Sequence, residues 1–318
     1  MALCEFSLIE SYFEQRRLGR DDVALGIGDD AALLRVPDGM LLASAVDTLI
    51  EGVHFPKNTP PSAIGHKVLA VNLSDLAAMG AEPAWATLSL SMSEPDESFL
   101  KAFSDGLFAI AEQFHVELVG GDTVRGPLVL TVQVNGFVPE GEALSRSGAR
   151  PGDLLYVSGT LGDAAAGLEL VQADQVDSKE RQWLRERLDR PSPRIALGQS
   201  LRGLATSCID ISDGLCADVT HIMERSHLGA DIDSCLLPLS TQLLAEKGEA
   251  AARQLALRGG DDYELCFTIP AEKEAELQRL AATFDVPVTH IGEVNNEVGV
   301  LRIDGEMAQG SGYDHFRD

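Results

Sequence analysis

Basic residues are scarce in this chain. Lys and Arg number 25 against 50 Asp and Glu, which leaves a formal net charge of −25. Nucleic-acid binding rests on cations that neutralise phosphates, so no nucleic-acid partner is expected. Long apolar runs are also missing. No stretch approaches the roughly 20 apolar residues of a membrane helix. The start MALCEFSLIESYFEQRRLGR has no basic segment followed by an apolar block. The expectations are no membrane span, no secretory leader and a cytoplasmic location. Five cysteines (Cys4, Cys208, Cys216, Cys235, Cys266) form no C-x-x-C pair. Such an odd, scattered set reads as core residues of a reducing compartment, not as a disulfide frame or a zinc site. Two phosphate-transfer signatures are absent as well. No G-x-x-x-x-G-K-[ST] segment occurs, so there is no P-loop, and neither H-R-D nor D-F-G occurs, so there is no protein-kinase site.

What is present is an alternation of strand-like and helix-like segments. LLASAVDT (41–48), AWATLSLSM (84–92) and PLVLTVQVNGFV (127–138) read as strands. A helix is expected from Pro60 to about Met79 and another over 96–114. A strand near 116–119 leads into a Gly120-Gly121-Asp122-Thr123 turn. SRSGARPGD (145–153) is polar and rich in Gly, Pro and Arg, and places a domain boundary between 1–145 and 146–318. The second half alternates again, from a strand at 153–158 to strands near 287–292 and 298–303. Alternation of this kind argues α/β architecture in both halves.

Acids recur at one kind of place, the end of an apolar strand or a Gly-rich turn beside it. Asp29 and Asp30 sit in GIGDDA, Asp47 ends LLASAVD, and Asp122 sits in VGGDT. Asp210 and Asp213 sit in CIDISDG, and Asp261 and Asp262 in RGGDDYE. Strand ends are where open α/β sheets bind ligands, and glycine lets backbone approach a ligand closely. Asn72 and Asp75, three apart on a helix, share one face. A single Asp after a strand is ordinarily a turn or N-cap residue, and Asp213 before Gly-Leu suits a cap. Several such clusters in one chain point to more. Converging carboxylates repel one another unless cations are present. Hard oxygen ligands suit magnesium or calcium, not zinc. Magnesium shared between carboxylates and phosphates serves phosphoryl transfer. GIGDDA also matches the G-x-G-x-x-A dinucleotide fingerprint. Against it, two acids would face the pyrophosphate, Pro37 follows too soon for a helix, and no clear strand precedes.

Nine segments carry a specific resemblance: EFSLIE (5–10), GIGDDAA (26–32), VDTLIEGVHF (46–55), KVLAVNLSDLAAMGAEP (67–83), GGDTVRGPL (120–128), SRSGARPGD (145–153), DISDGL (210–215), GGDDYELCF (259–267) and GYDHF (312–316). In this order they span nearly the whole chain. It resembles the thiamine-monophosphate kinases, within the superfamily of aminoimidazole ribonucleotide synthetase and selenophosphate synthetase. The resemblance implies a two-domain fold of α+β type, with N-terminal-domain strands forming a barrel in a homodimer. It implies an N-terminal domain for ATP, magnesium and dimerisation, and a C-terminal domain completing the substrate site. The implied reaction is transfer from ATP, with several Mg2+ ions, to thiamine monophosphate, giving thiamine diphosphate. Asp30, Asp47, Asp75, Asp122 and Asp210 would bind magnesium, and Asp213 a further ion. Gly121 and Asp122, with Arg146 and Ser212, would contact ATP. His54, Asp261 and Tyr313 would contact thiamine monophosphate. Two positions depart from the family pattern: Val46 stands where a hydroxyl residue is common, and Asp261 where Glu is common. A metal ligand at Val46 would have to be main-chain.

Blander readings stand beside these roles. His54 suits a loop histidine packed beside Phe55, Arg146 a solvated linker charge, and Tyr313 an anchor for the tail. An aromatic ring at 313 would equally suit stacking on the cationic thiazolium. The expected acceptor is a phosphate oxygen that is largely dianionic at pH 7, so no residue is needed as general base. Positioning and metal charge then carry the chemistry. Two other functions remain open on the sequence. One is a related ATP-dependent enzyme or maturation factor of the same superfamily; selenium chemistry would need a reactive cysteine for which Cys4 is the candidate. The other is a non-enzymatic acidic metal-binding protein.

Overall fold

The computed structural model describes residues 8–14, Arg16 and 18–308. The chain forms two units, Met1–Leu76 with Ala81–Gly141, and Ala77–Gly80 with Glu142–Asp318.

The first unit is built on a four-stranded sheet. Its strands are β3 (Met40–Ile50), β4 (Glu82–Met92), β5 (Glu117–Arg125) and β6 (Val129–Pro139), in the order β3-β6-β4-β5. β6 runs antiparallel to β3 and β4, while β4 and β5 are parallel. The period-2 alternation expected of a half-buried sheet is present. Leu88, Leu90, Leu130, Val132 and Val134 are buried, while Val46, Thr48, Ser89, Gln133 and Asp122 are exposed positions of the same strands. Helices α1 (Pro61–Ala78) and α2 (Glu97–Gln113) approach each other at two glycines. A Cβ on Gly65 would overlap the Phe103 carbonyl oxygen, and one on Gly106 the Ser62 carbonyl oxygen, so the close approach depends on both. Asp96 caps α2 by accepting hydrogen bonds from the Ser98 and Phe99 amides.

Two expectations are corrected here. Gly120-Gly121-Asp122 is not a turn, because β5 runs straight through it. A Cβ on Gly121 would overlap the Leu88 carbonyl oxygen of β4, so glycine allows the two strands to pair where their register shifts between Ala86 and Thr87. A strand does precede GIGDDA: β1 (Val23–Leu25) pairs antiparallel with β2 (Leu33–Leu34). At three residues it is too short to show alternation. The motif is therefore a loop between paired strands, and the dinucleotide reading fails because a strand follows the glycines where a helix is required.

The second unit holds a seven-stranded sheet in the order β13-β12-β9-β11-β7-β10-β8. The strands are β7 (Leu154–Ser158), β8 (Ser207–Asp210), β9 (Gly229–Ile232), β10 (Leu265–Ile269), β11 (Val288–Asn295), β12 (Leu301–Ile303) and β13 (Glu306–Ala308). Every residue of β7 and β10 is buried, which explains their unbroken apolar reading. Its helices are α3 (Asp163–Gln172), α4 (Lys179–Asp189), α5 (Ile195–Ser200), α6 (Leu215–Ser226), α7 (Thr241–Lys247), α8 (Glu249–Arg258) and α9 (Glu274–Ala281). The alternating order along the chain suggests a parallel sheet, yet all neighbouring pairs but β9–β12 are antiparallel. The reason is helix parity. One helix separates β8 from β9 and β10 from β11, and each of these pairs shares a direction. Two helices, α7 and α8, separate β9 from β10 and reverse the chain. β10 and β11 then insert among strands of the opposite direction. The result is an α+β arrangement.

Candidate functional site

In the first unit the loop between β1 and β2 faces the glycine-containing stretch of β5. Between them lies a cavity of about 720 Å³ whose walls include Gly28, Asp29, Asp30, Gly120, Gly121 and Asp122. Asp29, Asp30, Gly121 and Asp122 are exposed. The Asp30 amide donates to Asp29 Oδ1 at 2.8 Å, which tightens the loop. Glu10 and Glu14 add two more acids, and among the described residues no Lys or Arg lines the cavity. The hairpin is tied down at its start, where Arg20 and Trp85 Nε1 both donate to Asp22, at 2.9 Å each. Burial pushes the Asp22 carboxyl up, but these bonds outweigh it and hold it below the usual range.

The other expected ligands of this unit lie elsewhere. Asp47 is half-buried in β3 opposite Val132, and Asp75 is half-buried on α1; neither lines the cavity. Asn72, fully buried, donates to the Val68 carbonyl at 2.9 Å, and its Oδ1 has no hydrogen-bond partner among the described residues. Val46 is 61% exposed and faces away from the core beside Gln133. His54 lies in the turn after β3. Its Nδ1 accepts from the Ile50 amide at 3.0 Å, which leaves the proton of the neutral ring on Nε2. The buried Lys67 reaches the His54 carbonyl at 3.4 Å.

Among the described residues, no three of His, Cys, Asp and Glu form a group that could hold a metal ion by themselves. Magnesium does not require one: it keeps waters and substrate phosphates as ligands and takes one or two carboxylates from the protein. An all-oxygen donor set of exposed carboxylates beside backbone-accessible glycines fits that need.

In the second unit the segment after β8 is organised by a residue that sequence reasoning missed. Asp218, buried on α6, accepts from three successive amides: Ser212 at 3.1 Å, Asp213 at 3.2 Å and Gly214 at 3.1 Å. Asp213 is therefore not the cap of α6; the N-cap position is Gly214, which makes no side-chain cap bond. Asp210 is buried, and Ser212 and Asp213 are half-buried on the same turn. Burial, then the charges of Asp210 and Asp213, push the Asp218 carboxyl up to about 8, against the bonds from the amides. An acid early in the otherwise apolar start LCADV was the available signal. Arg146 is exposed, and its carbonyl accepts from Ser226 Oγ at 3.5 Å. Tyr313 lies outside the described residues.

The GGDDYE loop splits its acids. Asp261 is half-buried, whereas Asp262 is 2% and Glu264 0% exposed. Asp262 accepts from the Gly162 amide at 2.8 Å. Glu264 accepts from Ser158 Oγ at 2.6 Å, from Arg187 at 2.9 Å and from Arg194 Nε at 2.6 Å, with a further close bond from Arg194 Nη2. Asp163, with bonds from Thr160 and Ser240, stands 3.7 Å from Arg187 Nε. Burial drives the Asp262 carboxyl well above its ordinary value, against the Gly162 amide and Arg187. Asp163, Arg187 and Arg194 were not singled out in the sequence.

Comparison with known proteins defines the class. Residues 28–138 match the family described as AIR synthase related protein, N-terminal domain, and residues 150–304 match its C-terminal domain. Hydrogenase maturation protein HypE in complex with ATP shares the fold at 18% identity, with a TM-score of 0.77. Within this class, the thiamine-monophosphate kinase of Escherichia coli K12 is 50% identical over 99% of both chains. That of Bacillus subtilis is 36% identical over 98% of this chain and 99% of its own. The crystal structure of thiamine-monophosphate kinase from Stenotrophomonas maltophilia K279a superposes with a TM-score of 0.90 at 50% identity, covering 97% of this chain and 99% of that one. A structure described as AaThiL complexed with AMPPCP and TMP has a TM-score of 0.81 at 34% identity, over 98% of this chain and 97% of that one. The chain belongs to the thiamine-monophosphate kinase family.

Proposed function

We propose that the protein transfers the γ-phosphoryl group of ATP to the phosphate of thiamine monophosphate, giving thiamine diphosphate and ADP. The observation that carries this reading is the end-to-end match to thiamine-monophosphate kinases, 50% identical over 99% of the chain. An acceptor oxygen that is already ionised needs no general base, so the chain's task is to bind, align and screen two anions. In the first unit, Asp30 and Asp122 hold Mg2+ for the nucleotide phosphates, with Asp47 and Asp75 as further ligands, and Gly121 offers backbone to ATP. Glycine suits that position because a side chain there would collide with β4. When bound, magnesium supplies the positive charge that this acid-lined cavity lacks. In the second unit, Asp210 and Asp213 contribute metal ligation, and Ser212 and Arg146 contact ATP. His54, Asp261 and Tyr313 bind thiamine monophosphate; His54 Nε2–H is a donor suited to a phosphate oxygen.

The working form is a cytoplasmic homodimer in this reading. Among the described residues no helix is long and apolar enough to cross a membrane. The edge strand β3 leaves Leu42, Val46 and Ile50 exposed at alternate positions, a row that suits pairing with a second copy. Sedimentation of the pure protein tests the dimer. The activity is tested by timed incubation with ATP, magnesium and thiamine monophosphate, resolving thiamine species by chromatography. Equal amounts of thiamine diphosphate and ADP are expected. ATP bound without product would move the search to another acceptor.

A further inference from the structure

The acceptor-binding acid of the second unit is not left to find its own orientation. Asp261 and Tyr263 both adopt left-handed backbone, with φ of 69° and 49°, where non-glycine residues are uncommon. Asp262 and Glu264, alternating with them, are buried and anchored by the Gly162 amide and by Ser158, Arg187 and Arg194. The backbone is laced to the neighbouring turn as well. The Asp261 amide donates to the Ser212 carbonyl at 2.9 Å, the Tyr263 amide to the Ile211 carbonyl at 2.8 Å, and the Ile211 amide to the Glu264 carbonyl at 2.8 Å. On this frame Tyr263 is 9% exposed, and its hydroxyl donates to Asp261 Oδ1 at 3.0 Å.

We propose that Tyr263 is a positioning residue: its hydroxyl holds the Asp261 carboxylate in the orientation that receives thiamine monophosphate. The inference rests on the reading of Asp261 as an acceptor-binding residue. Thiamine monophosphate offers a permanent thiazolium cation and an aminopyrimidine with N–H donors, and a carboxylate pairs with either. A short side chain has little rotamer freedom to begin with, but a fixed one loses none on binding, and that saving appears as affinity. Asp261 is also one methylene shorter than the Glu common in the family. A shorter reach tolerates less misalignment, which makes a fixed orientation more valuable here.

The test is a double-mutant cycle with Tyr263→Phe and Asp261→Asn on the full chain, since Tyr263→Phe keeps the buried ring and removes only the hydroxyl. Its readouts are KM for thiamine monophosphate, KM for ATP, kcat, and the calorimetric Kd of thiamine monophosphate. Tyr263→Phe is expected to raise KM and Kd for thiamine monophosphate about ten-fold or more, as loss of a bond to a charged group does. KM for ATP and kcat stay within about two-fold, since the nucleotide and the transferred group are not touched. In the Asp261→Asn background the Tyr263→Phe effect largely disappears, because the two act as one. An unchanged KM in Tyr263→Phe, or an effect equally large without Asp261, overturns the proposal while leaving Asp261 as a ligand. An Asp261→Asn variant with unchanged KM and Kd removes the underlying reading, and the proposal with it.

Discussion

GIGDDA in the first unit and GGDDYE in the second each set two adjacent aspartates behind glycine, and the two regions use them in opposite ways. In the first, Asp29 and Asp30 are both exposed on a cavity that no Lys or Arg lines among the described residues. In the second, Asp262 turns inward beside the buried Glu264, which pairs with the half-buried Arg187 and Arg194. The supply of internal cation is what separates them. Carboxylates packed on guanidinium groups are scaffolding, and removing one leaves a buried charge behind. Carboxylates gathered without a cation need one from outside, the role proposed above for magnesium. In the proposed function the loop acids of the first unit serve the ligand, whereas Asp262 and Glu264 of the second hold a loop.

This contrast can be broken or sharpened by experiment. The largest effect belongs to the ligand-facing acids. A chelator in excess over magnesium is expected to abolish product formation, and Asp30→Asn to lower kcat about 100-fold or more, with a melting temperature no lower than that of the parent. Glu264→Ala should do the reverse. It takes the shared carboxylate from the half-buried Arg187 and Arg194 and should cost about 3 kcal/mol in urea unfolding, where a parent-like midpoint would show that the network is slack. Asp218→Ala falls between the two kinds. It deprives three amides of their acceptor, and a loss of about 1–3 kcal/mol is expected, together with weaker nucleotide binding by calorimetry.

The last effect is one of pH. Burial raises the Asp262 carboxyl above its unfolded value, so the folded state holds this proton longer than the unfolded chain does. The stability it contributes is full below about pH 4 and declines as pH rises toward the folded value, by at most about 1.4 kcal/mol per pH unit. Asp262→Asn removes that loss. The variant should gain in melting temperature over the parent as pH is raised from 4 to 8, and the two should converge near pH 4. A gap that is constant with pH would contradict the assignment.

The same contrast marks the reach of sequence reading. Long elements with a clear period were legible: the strand expected at 41–48 spans Met40–Ile50, and the helix expected from Pro60 to about Met79 spans Pro61–Ala78. The strand β13 was not anticipated. The glycines of β5 looked like a turn because their role, close approach to Leu88, involves a residue over thirty positions away. Clusters of acids were legible as clusters, but not their division. Nothing local distinguishes Asp261 from Asp262, since the distinction is made by backbone φ and by arginines 70 and 77 residues from Glu264. Asp213 looked like the cap, and Asp218, one turn into the helix, binds the amides instead.

The claim at the centre of this account is that the exposed acids of the first unit act through magnesium. It is tested most directly by the magnesium activation curve of Asp122→Asn beside that of the parent, at saturating ATP and thiamine monophosphate. The account predicts a midpoint displaced upward about ten-fold or more, as loss of a metal-supporting group produces, with partial recovery of rate at high magnesium. A variant whose rate falls but whose midpoint stays at the parent's value would contradict it.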